Sequence, residues 1–352
     1  MSLANIQAAG RQIRWPMRRE SAMLVMLALA LVLALLAGLA IGSLAIPPAS
    51  WLGLFTGEPD RLGLIALTIR LPRVLLAGIV GAGLALAGAA MQALFRNPLA
   101  DPGLTGSASG AVLAVVALIT LGHREAWSFT GMFGSLGLSF AAMAASGLTT
   151  ILVYGLARGR EGQLSIGNLL LAGIGVNALA SAAIGLFVTI ADDNELRSIQ
   201  FWMLGSLSGT AWSAVFAALP IVLVAGIILW RCATALDLFT LGETQAFVSG
   251  VDTARLKGLV VLAAAGATGA AVAFTGLVGF VGLLGPHCAR LICGQRYAFV
   301  LPGSLLIGAI VVILADVLAR IAVAPAELPI GLVTSLVGAP FFIALMRRAV
   351  RS

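Results

Sequence analysis

The residues of this chain that could do covalent chemistry are few, and their spacing does not form a catalytic set. Two short segments, Gly106–Gly110 and Gly205–Gly209, place a serine between glycines, but with the spacing G-x-x-S-G instead of the G-x-S-x-G of a nucleophile turn. A serine nucleophile also needs a neighbouring base. The only two histidines are His123, in a predicted loop, and His287, beside a proline turn. The sequence therefore argues against an enzyme.

The sequence also lacks a recognisable site for a nucleotide or a metal ion. It contains no G-x-x-x-x-G-K-[ST] loop, and its single lysine, Lys257, does not lie in a glycine loop, so the chain cannot bind ATP in the P-loop manner. Cys232, Cys288 and Cys293 match no common zinc or disulfide framework and are interpreted as small apolar residues. We expect no metal and no cofactor on this chain.

The amino-acid composition distinguishes a membrane protein from a water-soluble one. Hydrophobic residues make up 60% of the sequence and charged residues only 10%, with a mean hydropathy of +1.07. In soluble domains about a quarter of the residues are charged. The net charge of +7 does not indicate nucleic-acid binding, because the basic residues stand singly or in pairs between long apolar runs. The chain is predicted to be an integral membrane protein in a lipid bilayer.

Stretches free of charge predict ten crossings, with both termini in the cytosol. The predicted spans are 21–46, 73–95, 105–122, 131–157, 166–190, 212–231, 256–275, 277–293, 303–323 and 329–347. With a cytosolic N-terminus, 15 of the 21 Arg and Lys residues lie on the cytosolic side and 6 outside, as the positive-inside rule requires. The first run follows four arginines, as in a signal peptide, but its 26 apolar residues are too many for a signal-peptide core and predict an uncleaved span.

This pattern predicts a single polytopic membrane domain over residues 1–352. Within it we expect a cytosolic N-terminal segment at 1–20, a cytosolic segment at 232–255 and a cytosolic tail at 348–352. Ten spans give five in each half. Because five is odd, any repeat between the halves must have inverted topology.

Two segments are more distinctive than the rest. The first runs from Arg70-Leu71-Pro72-Arg73 to Arg96-Asn97-Pro98-Leu99-Ala100-Asp101-Pro102-Gly103 and encloses 22 uncharged residues between a basic proline turn and a double-proline turn. Those residues make about 33 Å of helix, the length of one crossing. The second is T-G-L-V-G-F-V-G-L-L-G-P-H-C-A-R at 275–290, with a glycine at every third position. Since a helix turns in 3.6 residues, these glycines do not share one face and predict a broken or crowded helix start.

Both segments resemble motifs of the permease subunits of bacterial ABC importers for iron-siderophores, heme and vitamin B12, the FecCD-type or type II importers. Four further places are similar to the motifs of that family: Leu169–Asn177, Trp202–Ser206, Leu241–Leu256 and Ala315–Pro340. Together the matches cover almost the whole predicted membrane part. The resemblance implies an all-α fold of about ten transmembrane helices with possible inverted five-helix repeats.

The resemblance also implies partners and a location. A permease of this family is expected to be a homodimer in the bacterial inner membrane, joined to two cytosolic ABC ATPase subunits that bind ATP and Mg²⁺. A periplasmic binding protein is expected to deliver the ligand from outside. No nucleic acid is expected.

The same resemblance suggests roles for two groups of charged residues. Arg70, Arg73 and Arg320 are expected to be external and to pair with glutamates of the binding protein, which suits the bidentate guanidinium group. The alternative is that they only anchor the interface and set topology. The cytosolic segment is expected to dock on the ATPase through Glu243, Gly250, Val251, Asp252 and Arg255, although it could be only a solvated loop.

The path itself is expected near two cytosolic turns. By resemblance, the turn with Asn97 and Leu99 and the stretch Ser165-Ile166-Gly167 contribute gates, whereas Asn97 could equally be a plain turn residue. Asn168 and Asn177 could line a wet path or only form hydrogen bonds between helices.

The substrate and energy source are inferred less directly. The segment Ala100-Asp101-Pro102-Gly103-Leu104 resembles the corresponding segment of heme and vitamin B12 permeases more than that of siderophore permeases. Heme is therefore the predicted substrate. The alternative function is an ion-coupled secondary transporter, which usually carries a coupling carboxylate or histidine near mid-membrane. Here the only acidic residue inside a span is Asp316, four residues before Arg320, where an i,i+4 ion pair explains it.

Overall fold

The computed structural model describes residues 17–42, 44, 46, 47, 50, 56, 60–122, 136–159 and 164–351. In these ranges the chain is nearly all helical. The helix bounds are α1 Met17–Ala40, α2 Arg61–Phe95, α3 Ser107–Gly122, α4 Gly137–Ala157, α5 Ile166–Ile190, α6 Asp193–Leu204, α7 Trp212–Arg231, α8 Ala233–Leu241, α9 Glu243–Val248, α10 Thr253–Thr275, α11 Val281–Cys293, α12 Tyr297–Ile321 and α13 Ile330–Arg351. A 3-10 helix at Pro102–Thr105 precedes α3. Most of the N-terminal segment 1–20, and His123, lie outside the described residues.

Ten of these helices occupy the positions of the ten predicted spans. Among the described residues, seven helices are long and apolar enough to cross a membrane, namely α1, α2, α4, α5, α7, α10 and α12. The other three, α3, α11 and the Ile330–Ala344 part of α13, are apolar but shorter. The prediction of an all-α membrane protein with about ten spans is therefore confirmed.

The start of α2 differs from the prediction. The segment Arg70–Arg73 was predicted as a proline turn, but the helix runs through it from Arg61 and is 35 residues long. A π-helical stretch at Ala66–Arg70 ends two residues before Pro72. Proline lacks an N–H and its ring clashes with the carbonyl four residues earlier, and a π turn widens the helix at that point. The helix then ends at Arg96, whose backbone is left-handed with φ 49°.

Three helices lie in segments predicted as loops. These are α8 and α9 in the cytosolic segment, and α6 on the predicted external side. The start of α6 is a capping box, in which Asp192 accepts hydrogen bonds from Asn194 N and Glu195 N at 2.9 and 2.8 Å while Glu195 accepts from Asp192 N at 2.9 Å. The D-x-x-E spacing was a readable signal for this helix start.

The centre of the molecule is formed by α2 and α10. In each long helix, the most apolar stretch of 18 residues shows how far the helix is buried. The buried share of that stretch is 83% in α2 and 72% in α10, but only 22% in α5 and 17% in α1. These two helices are the second and the seventh span, the corresponding members of two five-span halves. The inverted repeat itself stays a prediction.

Glycine lets α2 approach two neighbouring helices at backbone distance. A Cβ on Gly81 would overlap the carbonyl oxygen of Gly308 in α12, and a Cβ on Gly308 would overlap that of Gly81. Further along, a Cβ on Gly88 would overlap the carbonyl oxygen of Gly282 in α11. Lipid gives apolar helices no hydrophobic reason to associate, so such close contacts hold transmembrane helices together.

The run of glycines at 276–285 marks a helix break, as predicted. The helix α10 ends at Thr275 and is followed by its cap Gly276, α11 begins after Phe280, and both Gly276 and Phe280 have positive φ angles. The prediction of crowding is also confirmed, because a Cβ on Gly285 would lie 2.6 Å from the Cβ of Ala85. The buried side chain of Gln92, on α2, links α2 to α11. It donates to the carbonyl of Gly282 at 3.3 Å and accepts a hydrogen bond from Arg290.

Candidate functional site

A cluster of ion pairs lies where α2 and α12 meet at the predicted external end. Arg73 Nε donates to Asp316 Oδ1 at 2.9 Å, and Arg73 Nη1 donates to Glu327 at 2.9 Å. Asp316 Oδ2 lies 3.0 Å from Arg320 Nε, which is the predicted i,i+4 pair. Asp316 is therefore held between two arginines, and the loop carrying Glu327 is fastened to α2.

The end of α1 completes this cluster. Arg70 Nη1 donates to the carbonyl of Leu39 at 3.0 Å, and Arg320 Nη2 donates to that of Gly38 at 3.0 Å. Both carbonyls belong to the last turn of α1, where helical carbonyls have no partner within the helix and carry partial negative charge. The two arginines thus cap α1 and attach it to α2 and α12.

The three arginines, predicted to lie at the external side, are buried within this cluster. Their fractional exposures are 7% for Arg70, 9% for Arg73 and 4% for Arg320, and their partners lie within the chain. The sequence predicted the pair of Arg320 with Asp316 but not the partners of Arg73, since Asp316 and Glu327 lie 243 and 254 residues from it. Glu327, whose side chain is 34% exposed, is the part of the cluster that reaches the surface. Docking by the arginines stays a prediction.

The predicted ATPase-coupling residues lie on α9 and the start of α10. Glu243 opens α9, and Gly242 and Gly250 flank this short helix with positive φ angles of 142° and 88°. Asp252 caps α10 by accepting a hydrogen bond from Arg255 N at 3.0 Å. Gly250, Asp252 and Arg255 are exposed, whereas Val251 packs against the main core.

Three apolar side chains beside these residues face outward. Leu241, Phe247 and Val248 are 68%, 69% and 80% exposed. Because α8 and α9 lie between the spans α7 and α10, these side chains are not explained by contact with the lipid tails. Exposed apolar groups among polar ones are typical of a protein interface. All three lie within the segment predicted to dock on the ATPase but were not among the residues predicted to make the contact, although apolar residues within a polar inter-span segment were a usable signal.

A buried lysine lies behind this surface. Lys257 Nζ donates to Glu243 Oε1 at 2.6 Å and to the carbonyl of Leu164 at 2.6 Å. Lys257 is only 4% exposed, on the first turns of α10. From the sequence, Lys257 could belong with Glu243, Asp252 and Arg255 either to the ATPase-docking segment or to a solvated loop, whereas its burial and its contact with Leu164 are visible only in the structure.

The double-proline turn after α2 is ordered by its own polar side chains. Asn97 Oδ1 accepts a hydrogen bond from Leu99 N at 2.9 Å, and Asp101 Oδ1 accepts from Gly103 N at 2.7 Å. Burial raises the pKa of Asp101, and the hydrogen bond from Gly103 opposes that shift. Asn97 and Leu99 are exposed. The side chain of Asn97 acts here as a turn former, the plainer of its two interpretations.

The predicted gate at the start of α5 is a helix N-terminus. Ser165 caps α5, accepting a hydrogen bond from Asn168 N at 3.3 Å. Ser165, Gly167 and Asn168 are exposed, and Ile166 packs partly against the main core. The residues form one accessible turn at the predicted cytosolic end of the helix.

The helix α5, which begins at one predicted gate, lies against the 3-10 turn that follows the other. A Cβ on Gly173 would overlap the carbonyl oxygen of Leu104, so α5 lies directly against the 3-10 turn. Asn177 Nδ2 donates to the carbonyl of Gly103 at 3.3 Å, and Asn177 Oδ1 accepts from Ser109. Asn177 therefore forms hydrogen bonds between helices, the second of its two predicted roles.

About half of the residues of α5 are exposed, and its other face packs against α3 and α4. Only Leu169, Gly173 and Ala180 are buried over its 25 residues. The exposed residues include small and polar side chains as well as apolar ones, among them Asn168, Gly175, Ser181, Gly185 and Thr189.

Comparison with known proteins gives a consistent result. Residues 29–348 match the model of the FecCD transport family. The chain is 41% identical over 293 residues to the hemin transport system permease protein HmuU of Yersinia pestis, covering 83% of this chain and 86% of that protein. It is 38% identical over 347 residues to the vitamin B12 import system permease protein BtuC of Salmonella typhi, covering 98% of both.

A solved structure agrees with these relatives. A metal-chelate type ABC transporter in an inward-facing conformation superposes with a TM-score of 0.80 at 31% identity, covering 93% of this chain and 99% of that one.

Proposed function

Since this chain belongs to the FecCD transport family of ABC importer permeases, we propose that it forms the path by which heme crosses the bacterial inner membrane. The observation that carries this proposal is the position of α5, which leaves one face exposed and lies against the 3-10 turn that follows the turn containing Asn97 and Leu99. The chain is a transport subunit, as its relatives are.

The energy is supplied by ATP bound with Mg²⁺ on two separate ATPase subunits. The absence of a P-loop from the sequence requires a partner for nucleotide binding. The exposed side chains Leu241, Phe247 and Val248 provide the apolar surface on which this partner docks. The secondary-transporter alternative is disfavoured because Asp316, the acidic residue within a span, is already neutralised by Arg73 and Arg320.

Heme is the proposed substrate, supported by the Ala100-Asp101-Pro102-Gly103-Leu104 sequence and by the hemin permease relative at 41% identity. The vitamin B12 permease relative is 38% identical over a longer match. Both compounds are metal complexes of large tetrapyrrole rings, so cobalamin is the competing substrate to test.

Two copies of the chain are proposed to enclose the path as a homodimer. The exposed face of α5 supports this arrangement, because its small and polar residues suit a helix beside a wet path better than one facing lipid alone. A periplasmic binding protein then delivers heme at the end where Glu327 reaches the surface. A carboxylate of that protein can join or replace Glu327 on Arg73.

Uptake by reconstituted proteoliposomes tests the function. With the ATPase, the binding protein and ATP present, we expect uptake of heme, and we expect the lone chain to match empty liposomes even under a proton or Na⁺ gradient. Gradient-driven uptake by the lone chain would make it a secondary transporter. Uptake of cobalamin in place of heme would refute the substrate and leave the ATP-driven mechanism standing.

Cysteine labelling tests the proposed orientation, in which both termini face the cytosol. In a background with the three native cysteines replaced by alanine, an impermeant maleimide added to spheroplasts should label Asn194→Cys but not Gly159→Cys. Both positions are exposed, so the difference reports the side of the membrane. The opposite labelling pattern would invert the topology.

A further inference from the structure

The buried Lys257 contacts both the proposed ATPase-docking surface and the segment that precedes the proposed gate. Its ammonium group lies 2.6 Å from Glu243 Oε1 and 2.6 Å from the carbonyl oxygen of Leu164. Glu243 is the first residue of α9, on the surface proposed to dock the ATPase. Leu164 immediately precedes Ser165, the cap of the gate helix α5.

Each partner of Lys257 is fixed to its own element. Leu164 is buried and forms an isolated antiparallel bridge with Arg158, and Ser165 N donates to the carbonyl of Ala157 at 3.4 Å. Glu243 begins a helix of six residues whose far end is largely exposed. Lys257, on α10, therefore lies between two elements. One is the segment before α5, which is hydrogen-bonded to the end of α4, and the other is the short surface helix α9.

The end of α4 closes the same site. The hydroxyl of Tyr154 would lie 3.0 Å from a Cβ on Gly258, and the guanidinium of Arg158 lies 4.9 Å from the centre of the Tyr154 ring. A larger residue at 258 would press on the end of the Tyr154 side chain. The start of α10, the end of α4 and the segment before α5 are therefore in direct contact around Lys257.

Removing one hydrogen-bond partner from a buried ammonium group costs free energy, because an unpaired charge away from water is strongly unfavourable. A displacement of α9 that moved Glu243 away would leave Lys257 with the Leu164 carbonyl alone. The lysine must then follow Glu243, find another acceptor or be reached by water. Each of these responses alters its hold on Leu164 and on the start of α5.

We propose that Lys257 is a positioning residue that transmits movement of the ATPase-docking helix α9 to the gate at the start of α5. This inference rests on the proposed function. It names the ion pair Lys257–Glu243 and the hydrogen bond from Lys257 to Leu164 as the mechanical link between the two surfaces.

The test compares uptake per ATP hydrolysed in the full reconstituted complex. Lys257→Met keeps the length of the side chain and removes the charge, and Glu243→Gln weakens the ion pair from a side chain that is 40% exposed. In each variant that still binds the ATPase, we expect uptake per ATP hydrolysed to fall by about 5-fold or more, the lower range of couplings between sites. The control is Arg231→Met, which removes an exposed charge at the cytosolic end of α7.

A purely structural role would lower uptake and ATP hydrolysis together with protein yield, leaving their ratio unchanged. An unchanged ratio in both variants therefore overturns the proposal, as does loss of ATPase binding by Glu243→Gln. If Lys257→Met does not fold, Glu243→Gln decides. Absence of ATP-dependent uptake in the unmodified complex would instead refute the proposed function.

Discussion

Replacing Gly88 by alanine is expected to lower both the amount of folded protein in the membrane and its thermal midpoint. The added Cβ would overlap the backbone carbonyl of Gly282, so no rotation of a side chain relieves the clash, and α2 must move away from α11. Overpacking of a tight core costs about 1–3 kcal/mol and occasionally more. Adding Gly81→Ala, which forces α2 from Gly308 in the same way, should abolish folding altogether.

The control for this prediction is Gly147→Ala in the middle of α4. Gly147 is exposed, and a Cβ there would meet nothing within 4 Å. Because alanine is a better helix former by about 0.8–1 kcal/mol, this variant should be neutral or slightly more stable. Size-exclusion profiles and thermal midpoints of the detergent-solubilised variants measure the difference. Equal profiles for Gly88→Ala and Gly147→Ala would refute the backbone contact between α2 and α11.

Replacing Asp316 by alanine is expected to destabilise the protein by about 3–5 kcal/mol, the range measured when one partner of a buried ion pair is removed. Asp316 is 1% exposed and faces both Arg73 and Arg320. Its loss leaves two buried cations and only one acidic partner, Glu327, which reaches Arg73 alone. The thermal midpoint in detergent should fall sharply.

The matched control is Asp193→Ala, which removes an exposed carboxylate at the predicted external side and should cost less than about 1 kcal/mol. A double variant, Asp316→Leu with Arg73→Met, should be less destabilised than the sum of the two single changes, since it removes both members of one pair. A midpoint for Asp316→Ala within error of that for Asp193→Ala would mean that the cluster is solvated and not buried.

The ion cluster also changes how docking experiments should be interpreted. Reversing Arg70, Arg73 and Arg320 to glutamate would remove the caps of α1 and place negative charges beside Asp316. Such a variant would lose its fold before it reported on a binding protein. Glu327→Gln is the better probe of the predicted external surface, because the side chain of Glu327 is partly exposed and the change leaves Arg73 paired with Asp316.

The sequence by itself determined the class of the protein and the position of its spans. Charge is so costly in lipid that long uncharged runs appear directly in the sequence, and all ten predicted spans correspond to helices. The motifs around Pro98 and Pro286 identified the family, which the match over residues 29–348 confirms. The helix break after Gly276 was also readable, because glycine spacing and helix geometry are both local.

Only the tertiary structure decided which residues act together. Arg73 and Asp316 are 243 residues apart, and Lys257 and Leu164 are 93 apart, so no local pattern predicts either contact. Burial of the three arginines, the role of Asn177 between helices and the backbone contact of Gly88 with Gly282 all depend on how α2 packs among its neighbours. Hydropathy reports whether a residue tolerates lipid, whereas the partner of a buried polar group is fixed by helix packing, because its hydrogen bonds must be satisfied wherever the fold places it.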